Sequence, residues 1–148
     1  MAASQEFLKP SAIEQFFNRT FGALVGIGIG PSYCYLLQVR GRKTGKLYST
    51  PVNLMEIGGK RVLVAPRGRT QWVRNAEATG EVTLKRGSFL KKFRLHEIGA
   101  PEKLPILKQY LDSYRSAVQR YFSVPAGSPP EAFAQVADRH PAFELVAI

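Results

Sequence analysis

Cysteine and histidine are nearly missing from this chain of 148 residues: Cys34 is the only thiol, and His96 and His140 are the only imidazoles. An intramolecular disulfide framework and a cysteine-based zinc cluster are thereby excluded. Acidic residues are also scarce, with 11 Asp and Glu against 21 Lys and Arg, a formal charge of +10. Such a charge bears on partners rather than fold. It leaves nucleic acid, an anionic membrane surface and a polyanionic small ligand as candidates. Long apolar runs are absent as well. The most apolar stretch, FGALVGIGIGPSYCYLL, is broken by Gly26, Gly28, Gly30 and Pro31. It falls short of the roughly 20 apolar residues that a spanning helix needs, although it could touch a membrane surface. The N-terminus has no basic region followed by a long apolar core, so a cytoplasmic protein, at most membrane-associated, is expected.

What the chain does contain is a regular succession of elements. Its length and its 45% hydrophobic content suit a single domain over residues 1–148. Ser11 followed by Glu14 is a capping-box pattern, and Ile13, Phe16, Phe17, Phe21 and Leu24 recur at helical spacing. A first helix is expected over about residues 11–25. SYCYLLQVR and KLYSTPVNLMEI read as the two strands of a hairpin. Gly58-Gly59 leads into a third strand, KRVLVA, and Gly87-Ser88 separates EVTLKR from FLKKFRLHEI. TQWVRNAEA is helix-like, and Leu104, Leu107, Leu111, Tyr114, Val118 and Tyr121 form one stripe of a longer helix. Ser128, Pro129 and Glu131 open a further predicted helix, and AFELVAI reads as a buried last strand. The sum is an α+β fold: a mostly antiparallel sheet curled into a small barrel with flanking helices.

Two clusters carry the chemistry. RGRKTGK, Arg40 to Lys46, places four cations and two glycines in the hairpin turn. Backbone N–H groups converging there could cradle an anion, with Arg42 and Lys43 adding charge and Thr44 a hydroxyl. The same residues would equally serve as a soluble hairpin tip. APRGRTQWVRN then brings Arg67, Arg69 and Arg74 close in sequence around the only tryptophan, Trp72. An anion at the start of that helix would gain from the helix dipole. Trp72 and Asn75 are spaced to share a helical face, where one could wall a planar ring and the other offer it an amide. GIGIGP lacks the strand before and the helix after that a dinucleotide fingerprint requires.

At these clusters, LLQVRGRKTGKLYSTPV and GGKRVLVAPRGRTQWVRNAEATGEVTL, the chain resembles the deazaflavin-dependent nitroreductases. Their fold is the split β-barrel of FMN-binding type. The likeness runs from Tyr35 to Leu84 and is weaker around His140-Pro141. It implies a reductase that uses coenzyme F-420, a deazaflavin with a phosphate and an oligoglutamate tail, as hydride donor. The polyanionic cofactor suits the positive charge of the chain. By this resemblance Arg42, Lys43 and Thr44 hold the phosphate region, beside Tyr48, where many members carry a second arginine. Arg67 supplies a further cation. Pro51, Val52, Ala65 and Pro66 line the deazaflavin, and Trp72 and Asn75 complete the wall.

Hydride transfer to a quinone, an enone or a nitro compound asks for stacking, proximity and exclusion of water more than for a protein nucleophile. Accordingly no catalytic triad, carboxylate dyad or metal cluster is found in the sequence, and His96 and His140 read as structural. Tyr110, Tyr114 and Tyr121 share a helical face and could wall a small hydrophobic substrate, yet the same stripe reads as packing on the barrel. A second reading is a non-catalytic barrel holding FMN, haem or a fatty acyl ligand. Nucleic-acid binding is the weakest reading, because the aromatics are not interleaved with the basic residues.

Overall fold

The computed structural model describes residues 23–148. The first predicted helix lies outside them except at its end, where residues 23–26 are helical. Strands β1 (Cys34–Arg40) and β2 (Leu47–Ile57) form the expected hairpin, with Arg40 opposite Leu47 and Cys34 opposite Asn53. β3 (Lys60–Val64) follows the glycine turn, helix α1 (Gln71–Thr79) follows the arginine-rich segment, and β4 (Glu81–Arg86) and β5 (Phe89–Glu97) make a second hairpin. Helix α2 (Lys103–Val118) and two 3-10 segments (Gln119–Tyr121 and Pro130–Arg139) precede β6 (Ala142–Ala147).

β6 inserts between β3 and β5, and β1 pairs with β4, so the strands close in the order β1-β2-β3-β6-β5-β4, every pair antiparallel. Alternation along the strands sends Leu37, Val39, Val82, Leu84 and Phe93 inward, where Leu54, Leu63 and Leu145 meet them. A second apolar layer lies outside the barrel. Met55, Val62 and Val64 pack there against Ile106, Leu107, Tyr110 and Leu111 of α2 and against Phe133 and Val136. β3 is therefore buried on both faces, which explains its unbroken apolar run.

Two expectations need correction. The segment after Ser128 is a 3-10 helix with Pro129 at its cap and Pro130 inside it, and no side chain caps it. The cap position falls on Pro129, one residue past Ser128, which shifts Ser128 out of the capping register, and the Ser128 carbonyl accepts from Lys108 Nζ at 2.9 Å. Helix α2 is also not one smooth helix. Tyr114 leaves the helical region at φ −121° and ψ 25°.

The barrel is closed, but the ladder between β2 and β3 is short. β3 pairs with only the second half of β2, Leu54 to Ile57, and after Val64 the chain turns away. Thr50 to Asn53 of β2 thus lack a strand partner on that side, where Pro51 can sit without loss of a ladder hydrogen bond. The site lies at this seam.

Candidate functional site

A cavity of about 220 Å³ fills the seam. Thr50, Pro51, Val52 and Asn53 form one side, Val64 to Gly68 the other, Thr70 and Trp72 an end, and Tyr110 and Tyr121 reach in from the helical layer. The 65–68 loop is fixed from behind. Ala65 N–H donates to the Pro141 carbonyl at 2.7 Å, and His140 Nδ1 lies 2.8 Å from the Pro66 oxygen. His140 is 2% exposed and its ring stacks on Phe122 at 3.9 Å. Burial pushes its pKa down to about 4, so at neutral pH the ring is uncharged and Nδ1–H donates to Pro66. His140 is thus a brace for the cavity wall.

Thr70 occupies the cap position of α1 in extended conformation, but its side chain caps nothing. Its Oγ1 is buried and has no hydrogen-bond partner. A buried hydroxyl left alone costs about 1 to 3 kcal/mol, and this one lies in the cavity wall. Deeper in, Asn53 receives a hydrogen bond from the Cys34 thiol at 3.2 Å, and Tyr110 is buried beside it in the cavity lining. Burial raises the pKa of both Cys34 and Tyr110, so both groups stay protonated. Arg67 carries its guanidinium 5.9 Å from the centre of the Tyr121 ring, whose hydroxyl Arg120 binds at 2.7 Å.

A second concavity, about 290 Å³, adjoins the first and is lined by Gly41, Arg42, Lys43, Thr44, Tyr48, Gln71 and Asn75. The two share neighbouring positions: Gln71 and Trp72 are consecutive on α1, and Tyr48 and Thr50 lie on one face of β2. Gly45 adopts φ 74° in the turn between β1 and β2, a conformation that favours glycine. The backbone N–H of Arg42 donates to Asn75 Oδ1 at 3.0 Å, and Arg42 Nη1 reaches Asn75 Oδ1 at 2.7 Å and Gln71 Oε1 at 3.0 Å. These contacts dock the turn on α1.

The predicted residues therefore divide. Pro51, Val52, Ala65, Pro66, Arg67, Trp72 and Tyr110 line the apolar cavity, and Arg42, Lys43, Thr44, Tyr48 and Asn75 line the basic one. Trp72 and Asn75 do not share a wall: Asn75 is 4% exposed and turned to Arg42. The expected nest of converging turn amides is not formed by Arg42, Gly45 and Lys46. Their N–H groups bind Asn75, the Gly41 carbonyl and Thr44 Oγ1. Of the three clustered arginines only Arg67 lines the cavity; Arg69 pairs with Glu77 and Glu97, and Arg74 Nε donates to the Arg69 carbonyl. Tyr114 stands behind Tyr110, with ring centres 5.2 Å apart, and packs on Tyr33 at 4.8 Å. Asn53, Thr70 and Gln71 were missed, although an asparagine inside the apolar run PVNLMEI was a visible signal.

A sequence profile of the F420H(2)-dependent quinone reductases matches residues 12–123. The chain belongs to this family. It is accordingly an oxidoreductase that works with coenzyme F-420, which decides between the reductase and the non-catalytic readings. Solved structures share its fold. An F420-H2 dependent reductase (FDR-A) is 19% identical, with a TM-score of 0.55 over 81% of this chain and 99% of that one. A structure described as a domain-swapped dimer is 20% identical, with a TM-score of 0.55 over 91% and 99%. HutZ, the haem storage protein of Vibrio cholerae, is 8% identical, with a TM-score of 0.51 over 88% and 87%. No curated protein matches the sequence. Among the described residues, no helix is long and apolar enough to cross a membrane.

Proposed function

We propose that this reductase acts on small hydrophobic acceptors such as quinones, enones and nitro compounds, and that the two adjoining concavities divide its cofactor between them. The observation that carries the reading is this adjacency of an apolar cavity holding Trp72 and a basic one holding Arg42 and Lys43. F-420 has the same two-part character, a planar deazaflavin and an anionic tail.

The residues fit the group. Pro51, Val52, Ala65, Pro66 and Trp72 offer flat apolar surface to a ring, and the unpartnered Thr70 hydroxyl offers a hydrogen bond to its polar edge. Arg42 uses Nη1 for Gln71 and Asn75, which leaves Nε and Nη2 to meet a phosphate alongside Lys43 and Thr44. Tyr48 flanks the same concavity, Asn75 acts by bracing Arg42, and Arg67 adds a cation at the ring end. When bound, reduced F-420 supplies a hydride. The protein's share is to hold the ring against one wall, leave room beside Tyr110 and Tyr121 for the acceptor, and keep water out. Tyr114 supports that wall through Tyr110.

The test is steady-state oxidation of reduced F-420 with menadione, an enone and a nitroaromatic as acceptors. Turnover with at least one of them, lost when Trp72 is changed to Ala, is expected. Absence of turnover with all three would overturn the assignment of acceptors.

A further inference from the structure

Of residues 64–70, all but Arg69 line the apolar cavity. Arg69 is directed elsewhere, and its guanidinium joins two carboxylates from separate elements. Nη1 pairs with Glu77 of α1, and Nη2 lies 2.9 Å from Glu97 at the end of β5. The Arg69 carbonyl accepts from Arg74 Nε at 3.0 Å. Within the turn, Gly68 adopts φ 85°, Gly68 N–H donates to the Ala65 carbonyl, and Thr70 N–H donates to the Gly68 carbonyl. These last two bonds shape the turn without tying it to the rest of the barrel. His140 and Pro141 brace the loop at Pro66 and Ala65, and Arg69 fastens its other end. A lone surface ion pair contributes little, but one planar fork shared by two carboxylates fixes both the place and the direction of its chain segment. On either side of Arg69 in this turn stand Arg67 and Thr70, which face the cavity.

We propose that Arg69 is a positioning residue: pinned between Glu77 and Glu97, it sets the turn so that Arg67 and Thr70 are presented to the cofactor. The inference rests on the reading of this cavity as the ring end of the cofactor site. None of the three pin residues lines either concavity, so the pin acts through the turn and not by contact. A wall held in its binding arrangement beforehand spares the cost of ordering it when the cofactor arrives.

The sign of the charge change separates this role from a diffuse electrostatic one. Glu77→Ala/Glu97→Ala removes two negative charges, which by field alone would draw a polyanion in more tightly; loss of the pin should weaken it instead. Oxidised F-420 is titrated by fluorescence into wild type, into this double variant, and into Arg69→Met, which keeps the side-chain stem and drops the charge. Both changes should weaken binding about three- to tenfold, the range of one net hydrogen bond. Combining them should cost no more than Arg69→Met alone, because they break one connection. They remove the pin from opposite sides, so either carries the test if the other does not fold. Glu81→Ala, which deletes a carboxylate paired with Lys92 on the β4–β5 hairpin, is the control and should bind at least as tightly as wild type. In cofactor-free protein, amide exchange at Gly68 and Thr70, followed by NMR, should quicken at least fivefold in the pin variants, while exchange in β4 changes less. F-420 affinity of Glu77→Ala/Glu97→Ala equal to or above wild type, or unchanged exchange at Gly68 and Thr70, would overturn the proposal while leaving the cofactor site in place. Failure of the wild type to bind F-420 would overturn that reading and this inference together.

Discussion

Arg42 and Asn75 meet twice: the backbone N–H of Arg42 lies 3.0 Å and its Nη1 2.7 Å from the same Asn75 Oδ1. Through this pair the basic turn between β1 and β2 is fastened to α1. Arg42 is therefore both a structural group and a candidate anion contact, whereas Lys43 sits in the same concavity as an exposed side chain.

The two cations should consequently separate in a stability assay. Arg42→Ala deletes the Nη1 bonds to Gln71 and Asn75, keeps the backbone N–H bond to Asn75, and should destabilise the protein by about 1 to 2 kcal/mol. Lys43→Ala should stay within about 0.5 kcal/mol of wild type, as expected of an exposed change. Urea denaturation measures both. Identical midpoints would mean that the Nη1 bonds of Arg42 do not hold the turn.

Thr70 gives the opposite pairing of effects. Thr70→Val keeps the shape and removes a buried hydroxyl that has no partner, so the cofactor-free protein should gain about 1 kcal/mol. Affinity for oxidised F-420 should fall if that hydroxyl meets the ring. A variant that is both more stable and unchanged in binding would detach Thr70 from the cofactor.

His140 makes the stability depend on pH. The unfolded chain protonates this ring near pH 6.5 and the folded chain only at about 4, so between those values the unfolded state binds more protons. Stability is then full above pH 6.5 and falls as the pH is lowered toward 4, by about 3 kcal/mol from this group. Lys103 and Arg139, which oppose protonation of the ring, act in the same direction. His140→Asn keeps a donor for Pro66 without the titration, and its stability should fall less over that interval. Parallel curves for the two proteins would remove His140 as the source.

The sequence made the barrel legible because each strand carries a period-2 or continuous apolar pattern and most are bounded by glycine turns, as at Gly58-Gly59 and Gly87. The basic turn and the Trp72 helix were legible for the same reason: local pattern determined local structure. What could not be read is long-range. Arg69 and Arg67 look alike in sequence, yet Arg69 is neutralised by Glu77 and by Glu97, 28 positions away. Helical spacing and the family resemblance both put Asn75 at the ring, while the folded turn brings Arg42, 33 positions distant, onto it. The bracing of Pro66 by His140 spans 74 positions and leaves no local mark.

The most direct test of the central claim is a fluorescence titration with oxidised F-420, run beside FMN, for wild type and the Arg42→Ala/Lys43→Ala double variant. The account predicts that the wild type binds F-420 markedly better than FMN and that the double variant loses most of this preference. Equal affinity for F-420 in the two proteins would contradict the claim that the basic turn holds the anionic part of the cofactor.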